Sequence, residues 1–445
     1  FRRVLFRSYK RRETMNTTPD KPEQEEIRNL QYYVSHIRRD IANLFKWLIL
    51  AVATGLIVGA VSSFFADSLK KVTSLRGIYP QIFLLLPVSG LLIVFLYQKI
   101  DKEDGGTNQV LSTIRSQDDV PFRSAPLIFI STILTHVTGG SAGREGAAIQ
   151  LGGSIGNQLS RWLKLDEEDT HVMIMCGMSA AFSAVFGTPM AAAVFSMEVI
   201  SVGIMYYAAL LPCVIASIIA ARFATGFGIN PETFHVVNIP ELTVETGVKM
   251  VIVAAACAAV SIIFCMALQG VSKFYSRFFK NPYIRIVAAS FIIIGITILL
   301  HTTDYMGAGN NLIELAVEKG QTRPLDFFWK MLLTALTMRA GFRGGEIVPS
   351  FCIGATFGCL MGQIIGLSPS ICAAAGMTAL FCGVTNCPIT SILIAFELFG
   401  FRGVSYYLIA VAISYSVSGY YGLYKDQTIV YSKYKAKYIN RHTRF

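Results

Sequence analysis

The stretch Gly-Gly-Ser-Ala-Gly-Arg-Glu-Gly at residues 139–146 decides the fold, because it ends one apolar run and opens another. Glycines end a helix and let the backbone approach a ligand closely. The helix that follows presents unpaired N–H groups and the positive end of its dipole, which can bind an anion without a cationic side chain. The stretch Gly-Phe-Arg-Gly-Gly-Glu-Ile-Val-Pro at residues 341–349 repeats this arrangement in the second half of the chain.

Composition places these motifs in a membrane protein. Of 445 residues, 53% are hydrophobic and only 15% are charged, whereas about a quarter are charged in a typical soluble domain. Residues 1–40 carry ten Lys and Arg against six Asp and Glu, and residues 425–445 carry six against one, so most of the net charge of +11 lies on two tails. A soluble enzyme or a nucleic-acid-binding protein is therefore not expected.

Uncharged runs predict the membrane-spanning helices, since about 20 apolar residues cross a bilayer as one helix. Seven runs hold 20 to 26 residues without Asp, Glu, Lys or Arg: Trp47–Ala66, Gly77–Gln98, Ser124–Gly143, Val172–Met197, Val199–Ala221, Val251–Ser272 and Gly403–Tyr424. The longest run, Ile347–Phe396, has 50 residues and must fold back, with a turn predicted at Gly366–Pro369. The basic tails predict that both termini are cytoplasmic and that the number of crossings is even.

The chain contains an internal repeat. A shift of 199 residues places landmarks of the first half on the second: Leu134 on Leu333, Arg144 on Arg343, Pro189 on Pro388 and Glu198 on Glu397. With a shift of 203, Gly106–Val110 meets Gly309–Ile313. Two homologous halves are typical of a transporter-like fold whose site lies between them. The shift alone leaves open whether the halves are parallel or inverted.

Glu145 has two interpretations. A carboxylate at an anion-attracting helix start can occupy the anion's own position, and burial and the helix dipole act on its charge in opposite directions, so it can gain and lose a proton as it moves. Such exclusion between carboxylate and anion would couple proton movement to anion movement. Alternatively, Glu145 pairs with Arg144 or Arg343 and only holds helices together. The residues alone leave both readings open.

Other polar residues allow structural interpretations. Glu346 is either a second buried functional carboxylate or a helix N-terminal charge stabilised by the dipole. Glu198 and Glu397, each ending an apolar helix, are expected at a solvated interface. Pro189 and Pro388 are expected in first turns after helix breaks. Tyr424 offers a hydroxyl to an anion or belongs to an interfacial aromatic belt. The nine cysteines predict reduced, packed thiols.

No metal site and no cofactor are expected. The six histidines lack metal-ligand spacing, and His136 is interpreted as a packed or solvated residue. An intramembrane enzyme would need a nucleophile–base pair or a metal set, and neither is visible in the sequence.

Together these motifs resemble the CLC family of chloride channels and anion/proton antiporters, over about residues 45–430. The resemblance rests on Gly143–Gly146, on the Gly-Gly-x-x-x-Pro of residues 344–349, and on Gly187–Glu198 between them. It implies an all-α polytopic membrane protein with inverted halves and broken or re-entrant helices, which forms a homodimer in the lipid bilayer and moves a small halide anion and protons. It also implies Glu145 as the external gate.

The resemblance further implies where the anion binds. The expected anion-binding residues are Thr107, Asn108, Gly146, Ala147, Glu346, Ile347, Val348 and Tyr424, and the expected supporting residues are Gly143, Arg144, Gly345 and Pro349. Val199 occupies the position of the internal glutamate of chloride/proton antiporters, which argues against a chloride-type exchanger.

Residues of the two anion loops indicate which branch of the family the chain resembles. The sequence Gly-Thr-Asn-Gln-Val at residues 106–110 is more similar to the fluoride/proton antiporter branch than to the Gly-Ser-Gly-Ile-Pro of chloride-type members, and Glu346 and Gln427 favour the same branch. Ala147 and Val348 depart from it, because that branch typically has Thr at both positions. Thr107 also departs from it and keeps a hydroxyl that can bind chloride as the chloride-type serine does.

The sequence therefore predicts a bacterial inner-membrane antiporter that exports fluoride in exchange for protons, with a chloride channel or chloride/proton exchanger as the alternative. The expected organisation is an N-terminal cytoplasmic tail over residues 1–43, membrane repeats over 44–226 and 227–424, and a short basic cytoplasmic tail over 425–445. Residues 1–14 precede the first Met and can be foreign to the natural protein. No regulatory domain is expected after residue 430.

Overall fold

The computed structural model describes residues 22–115, 120–435 and 437–444. Internal contacts divide the chain into two compact units, residues 1–49 and residues 50–445, and the sites discussed below all lie in the second. Residues 1–21, which include the predicted foreign segment 1–14, lie outside the described residues. The remainder is mainly helical, as predicted.

The described residues form sixteen α-helices in two series of eight. The first series is α1 Pro22–Ile78, α2 Leu86–Ile100, α3 Thr107–Thr113, α4 Ser124–Val137, α5 Glu145–Trp162, α6 Glu167–Phe186, α7 Pro189–Glu198 and α8 Leu210–Gly226. The second series is α9 Val244–Phe278, α10 Pro282–Leu300, α11 Asn310–Glu318, α12 Asp326–Ala340, α13 Ile347–Ile365, α14 Pro369–Thr385, α15 Pro388–Phe399 and α16 Val404–Val417. Short 3₁₀ helices, Pro80–Leu85 and Tyr207–Ala209, precede α2 and α8.

The two series repeat one pattern of helix lengths. The short α3 and α11 have 7 and 9 residues, α5 and α13 have 18 and 19, and α7 and α15 have 10 and 12. Seven helices of the described part are long and apolar enough to cross a membrane. The short ones are not, because a span needs about 20 residues, and they are the broken helices that the family resemblance implies.

The predicted helix breaks are confirmed. The 50-residue run holds α13, α14 and most of α15, with a turn after Gly366, whose φ of +65° ends α13, and with Pro369 opening α14. Pro388 opens α15 after a break at Asn386, and Pro189 opens α7 after Gly187. Proline suits a first turn, where its missing N–H leaves no hydrogen bond unmade. The run Val172–Met197 is consequently two helices.

Glycines set the closest helix packing in both series. A Cβ on Gly177 of α6 would lie 2.1 Å from the carbonyl oxygen of Gly152 on α5, and a Cβ on Gly376 of α14 would lie 2.5 Å from that of Gly354 on α13. Small residues allow helices to approach closely inside a membrane, where the hydrophobic effect does not drive them together. These contacts fix α5 on α6 and α13 on α14.

Glu198 is buried and Glu397 only partly exposed, so neither is the freely solvated interfacial residue that the sequence suggests. Glu198, buried at the end of α7, accepts hydrogen bonds from the N–H groups of Ile389 and Thr390 at 3.1 and 2.8 Å, in the first turn of α15. Glu397, near the end of α15, accepts from the N–H groups of Met190 and Ala191 in α7 at 2.8 and 2.9 Å. A carboxylate from each half therefore caps the start of a helix in the other half. The dipole of the capped helix stabilises each carboxylate.

Two strands near the C-terminus of the chain form a small sheet with a third strand that follows α7. The strands β1 Ser201–Val202, β2 Thr428–Tyr431 and β3 Tyr438–His442 are in the order β1-β2-β3, the first pair parallel and the second antiparallel. Before β2, the fully buried Gln427 donates from Nε2 to the carbonyl oxygens of Val199 at 2.9 Å and Thr385 at 2.7 Å. Part of the predicted basic tail is thus folded against both halves.

The nine cysteines are buried and free of disulfides. The prediction of reduced, packed thiols is confirmed, and these side chains belong to the apolar core.

Candidate functional site

The two glycine-rich loops pair with each other across the halves. The Gly143 N–H donates to the Gly345 carbonyl oxygen at 2.7 Å, and the Gly345 N–H donates back to that of Gly143 at 2.8 Å. A Cβ on Gly345 would lie 2.6 Å from the Gly146 nitrogen, so no other residue fits there without a backbone shift. The contact that joins the repeats is therefore made by backbone.

This pairing brings two uncapped helix starts together. Helix α5 begins at Glu145 and helix α13 at Ile347, and neither receives a side-chain cap from the residue before it. Pro349 packs against the first loop, since a Cβ on Gly143 would lie 2.9 Å from its Cδ. The first N–H groups of a helix have no intrahelical partner, so the junction holds a set of N–H donors and two positive dipole ends.

Glu145 folds back onto its own helix start. Its side chain is fully buried, at 0% exposure. Oε2 accepts a hydrogen bond from the Arg144 N–H at 3.1 Å, and Oε1 lies 3.5 Å from Arg144 Nε with no hydrogen-bond partner among the described residues. The carboxylate therefore occupies a place that suits an anion, and it also contacts Arg144, so both sequence interpretations describe the same geometry.

Arg144 has a second carboxylate partner, which the sequence did not reveal. Its Nη2 forms a hydrogen-bonded ion pair with Glu232 Oε1, and Asn310 Nδ2 donates to the same oxygen at 2.9 Å. Glu232 lies in the polar segment between the two series, where a lone acid gives no periodic signal. Two carboxylates thus share one guanidinium, and Arg144 keeps a partner if Glu145 leaves.

The sequence also allowed an ion pair between Glu145 and Arg343. The structure does not contain this pair. Arg343 Nη1 lies 3.0 Å from Asp104 Oδ2, and its guanidinium stacks on Tyr97, 3.8 Å from the ring centroid. Gln150 Nε2 holds the other oxygen of Asp104 at 2.6 Å. Arg343, from the second loop, therefore binds first-half residues, as Arg144 from the first loop binds Glu232 and Asn310 further along the chain.

Glu346 and Tyr424 lie near the same junction. Glu346, the residue before α13, accepts from Arg339 Nη2 at 3.3 Å. The Tyr424 side chain is buried, at 4% exposure, and its hydroxyl is within electrostatic range of Glu346 and Glu145. The aromatic-belt reading of Tyr424 does not fit this buried position.

Thr107 and Asn108 approach the junction from the start of α3. Thr107 Oγ1 donates to the Gly146 carbonyl oxygen at 3.1 Å, which uses the only hydrogen of that hydroxyl. Asn108 is partly buried, and its amide oxygen has no hydrogen-bond partner in the described ranges. Ala147 and Val348, in the first turns of α5 and α13, are fully buried and bring no hydroxyl.

Val199, at the expected place of an internal glutamate, is buried at the end of α7. Its polar contacts are made by backbone alone: the N–H donates to the Phe195 carbonyl oxygen at 2.9 Å, and the carbonyl accepts from Gln427. No acid stands at this position.

Lys330 is a buried charge that the sequence reading passed over. It lies on α12 at 0% exposure and donates from Nζ to the carbonyl oxygens of Tyr305 and Gly307 at 3.0 and 2.6 Å, and to Ser141 Oγ at 3.1 Å. Its ammonium thus has an acceptor for each of its three donors. A Lys inside a mainly apolar helix was a usable signal, because charges inside a membrane are costly and mark functional regions.

His136 is packed, as interpreted from the sequence: it is buried, and its Nδ1 binds the Thr132 carbonyl oxygen at 2.9 Å. In the part of the chain that the structure covers, no group of three His, Cys, Asp or Glu side chains could hold a metal ion.

Comparison with known proteins agrees with these features. The family model described as "Voltage gated chloride channel" matches residues 89–419. A "Chloride/fluoride channel protein" of Pseudomonas syringae pv. tomato is 35% identical over 397 residues, which cover 87% of this chain and 88% of that protein. An H(+)/Cl(-) exchange transporter of Vibrio cholerae is 24% identical over 385 residues, 80% of this chain and 82% of that protein.

Solved structures show the same fold. The crystal structure of a CLC-type fluoride/proton antiporter superimposes with a TM-score of 0.83 and 32% identity, covering 86% of this chain and 98% of that one. A slow cyanobacterial Cl−/H+ antiporter superimposes with a TM-score of 0.72 and 20% identity, covering 84% and 94%. The architecture is therefore the all-α fold of two inverted repeats with broken helices that the sequence predicted, and the chain belongs to the CLC family of voltage-gated chloride channels and anion transporters.

Proposed function

We propose that the protein is an anion/proton antiporter that exports fluoride in exchange for protons, with Glu145 as its gate. One observation carries the proposal: the paired loops of Gly143 and Gly345 bring two uncapped helix starts together, and the Glu145 carboxylate lies in the anion-attracting position of one of them. A buried carboxylate in that position competes with an anion for the same N–H groups.

The exchange follows from this competition. Deprotonated Glu145 accepts the Arg144 N–H and excludes the anion. Once it binds a proton, the carboxyl loses its attraction for the dipole and swings away from the Arg144 N–H. The anion can then approach the N–H groups of Gly146, Ala147, Ile347 and Val348. Each movement of Glu145 therefore carries a proton in one direction while an anion moves in the other. Glu232 holds Arg144 in place when Glu145 is away.

The choice of fluoride has two supports. The chain shares 32% identity with a CLC-type fluoride/proton antiporter of known structure and 35% with a relative named as a chloride/fluoride channel protein. In addition, the Thr107 hydroxyl gives its hydrogen to the Gly146 carbonyl, so in this arrangement it offers none to an anion. A chloride site that uses a serine-like hydroxyl would need that hydrogen.

The alternative is a chloride channel or chloride/proton exchanger. It is favoured by Ala147 and Val348, which bring no hydroxyl to the two helix starts, and by Thr107, whose hydroxyl can rotate toward the pathway. The alternative keeps the same fold and the same gate.

The assembly belongs to the proposal as well. We place the protein as a homodimer in a bacterial inner membrane, with both termini cytoplasmic, membrane repeats over residues 44–226 and 227–424, and one pathway in each subunit. In this orientation Glu145 faces the outer side. The basic residues of both tails then lie on the side where Lys and Arg accumulate.

The test is an ion-efflux assay on the purified protein in liposomes. Vesicles are loaded with fluoride or with chloride, and the released anion and the external pH are recorded together. We expect fluoride efflux to be faster than chloride efflux, with protons driven inward against their gradient.

Two results would overturn parts of the proposal. Chloride efflux as fast as fluoride efflux would remove the fluoride assignment and favour the alternative. Fluoride efflux without proton movement against a gradient would make the protein a channel.

A further inference from the structure

The segment between the two helix series brings a carboxylate close to the gate. Glu232 lies in this segment, after α8 and before α9, and its Oε1 pairs with Nη2 of Arg144. Asn310, the first residue of α11, donates to the same oxygen at 2.9 Å. Because Arg144 directly precedes Glu145, the pair places a second acid next to the proposed gate.

Backbone packing holds Glu232 in place. On its N-terminal side, a Cβ on Gly187 would lie 2.5 Å from the Cα atom of Pro231. On its C-terminal side, the Phe234 N–H donates to the Leu398 carbonyl oxygen at 2.9 Å. The end of α6 and the end of α15 therefore fix the segment on both sides of Glu232, and its carboxylate has a defined position beside Arg144.

Arg144 faces two carboxylates at once. Its Nε lies 3.5 Å from Glu145 Oε1, and its Nη2 pairs with Glu232. The side chains of Arg144 and Glu232 are 19% and 17% exposed, whereas that of Glu145 is 0% exposed. Charges in such surroundings are screened much less than charges on the surface, so the three side chains respond to one another.

The net charge of these three side chains depends on the proton of Glu145. When Glu145 is ionised, two negative charges face a single positive one, and a proton on Glu145 makes the group neutral. Without the Glu232 carboxylate the group would be neutral with Glu145 ionised, and a proton would leave a net positive charge. An uncompensated charge is costly in buried surroundings, so the Glu232 carboxylate favours the proton-bound state.

We propose that Glu232 is a positioning residue of the gate, which acts through Arg144 to favour proton uptake by Glu145. This inference rests on the proposed function, in which Glu145 binds and releases a proton. It assigns the regulation of the gate to a fixed acid outside both glycine-rich loops.

Other charged and titratable groups lie around this part of the molecule. They are Arg76 on α1, Asp104 before α3, His136 on α4, Asp304 before α11, Lys330 and Arg339 on α12, Arg343 and Glu346 of the second loop, and Tyr424 in the C-terminal segment. All of them are kept in the variants below, so a shift between wild type and variant reports the changed residue.

The first test is the pH dependence of fluoride efflux in Glu232→Gln. The purified full-length protein is placed in liposomes with the same pH on both sides, and initial efflux is measured from about pH 5 to about pH 8, with the leak of empty vesicles subtracted. We expect the pH of half-maximal efflux to fall by about one unit, because Glu145 then needs a higher proton concentration to bind its proton. An unchanged midpoint would overturn the proposal.

Two further variants separate the charge from its surroundings. Glu232→Asp keeps the charge, so we expect a midpoint close to that of the wild type, and a shift as large as in Glu232→Gln would overturn the proposal. Glu241→Gln is the matched control, because Glu241 is an exposed acid of the same segment that does not border the cavity beside Arg144. A midpoint that moves equally in this control would also count against a specific role of Glu232.

Asn310→Asp tests the opposite direction and does not depend on the folding of Glu232→Gln. The change keeps the shape of the side chain and adds a negative charge beside Glu232, at a helix start where an acid is favourable. We expect the midpoint to rise by about half a pH unit at low ionic strength and to return toward the wild type at about 500 mM, since Asn310 is exposed and its charge is screened. An unchanged or lowered midpoint at low ionic strength would contradict the proposal.

Failure of this inference and failure of the proposed function give different results. A wild type that moves fluoride without protons would contradict the antiport function, while the midpoints still decide the role of Glu232, because a gate can bind a proton in a channel as well. In a Glu145→Gln background the gate has no proton to bind, so we expect Glu232→Gln to leave the pH dependence unchanged there. A shift of equal size in both backgrounds would show that Glu232 acts on another group and would overturn the proposal.

Discussion

The two glycine-rich loops have the same backbone and different charges. Each donates one N–H to the other, through Gly143 and Gly345, and each precedes an uncapped helix start. In the first loop the acid is Glu145, the first residue of α5, fully buried against the Arg144 N–H. In the second loop the acid is Glu346, one residue before α13, partly exposed and bound to Arg339.

This difference of one position separates the charge that we propose to be movable from the one that we expect to stay fixed. Glu145 has one oxygen without a hydrogen-bond partner in the described chain, and that oxygen lies 3.5 Å from Arg144 Nε, beyond good hydrogen-bonding distance, so we expect little to hold it when it binds a proton. Glu346 has a guanidinium on the preceding helix, and an ion pair with hydrogen-bonding geometry favours the charged form. We therefore propose the first loop as the gate and expect the second to act only through its charge.

The largest effect is expected when the pairing of the loops is broken. In Gly345→Ala the new Cβ would lie 2.6 Å from the Gly146 nitrogen, and relief of such a contact costs about 1–3 kcal/mol and separates the two helix starts. We expect fluoride efflux from liposomes to fall about tenfold or more.

The matched control is Gly295→Ala, because a Cβ on Gly295 in α10 meets no atom within 4 Å. Unchanged efflux in Gly345→Ala, with both variants eluting as the wild type does, would show that the pairing is not needed for transport.

The second largest effect is expected when the charge of Glu145 is removed. Glu145→Gln keeps the shape of the side chain but cannot exchange a proton, so we expect proton movement coupled to anion flux to fall to the level of empty vesicles. The measurement is external pH during fluoride efflux. Coupling that survives in this variant would place the proton carrier elsewhere.

A smaller effect is expected at the fixed charge. Glu346→Gln removes one partner of the Arg339 ion pair, and a partly exposed pair contributes about 1 kcal/mol or less. We expect fluoride efflux to change by up to about fivefold, with the number of protons per anion unchanged. A changed proton-to-anion ratio would mean that the second acid also carries protons.

The smallest effect concerns selectivity. Val348→Thr places a hydroxyl in the first turn of α13, where the fluoride/proton antiporter branch typically has one, and a typical hydrogen bond contributes about 0.5–1.5 kcal/mol net of competition with water. We expect the ratio of fluoride to chloride efflux to rise about threefold, and an equal change in both rates would count against a role for this position in selectivity. Val430→Thr, outside the helix starts, serves as the control.

Much of the fold could be predicted because it depends on local sequence. Pro189, Pro388 and Gly366 mark breaks at which the backbone has little choice, and uncharged runs of membrane-spanning length mark the long helices. The repeat could be found because both halves keep the same breaks at the same spacing.

The same local signals located the two helix starts of the candidate site. Their meeting was expected from the repeat, and the bridge between Gly143 and Gly345 shows it. The polar partners could not be predicted, because they are distant in sequence. Glu232 is 88 residues from Arg144, and Arg343 could have met either Glu145 or Asp104.

The error at Glu198 and Glu397 has the same origin. An acid at the end of an apolar helix usually marks the membrane surface. Here the fold places the start of another broken helix beside each acid, and only the three-dimensional arrangement of the halves reveals that partner.

These exchanged caps have a consequence for biosynthesis. The first turn of α7 receives its cap from Glu397, 206 residues further along the chain. A ribosome adds about 5–20 residues per second, so α7 waits about 10–40 s after its own synthesis before that carboxylate exists. The first repeat therefore enters the membrane with an unfinished helix end, and its assembly is completed only when nearly the whole chain has been translated.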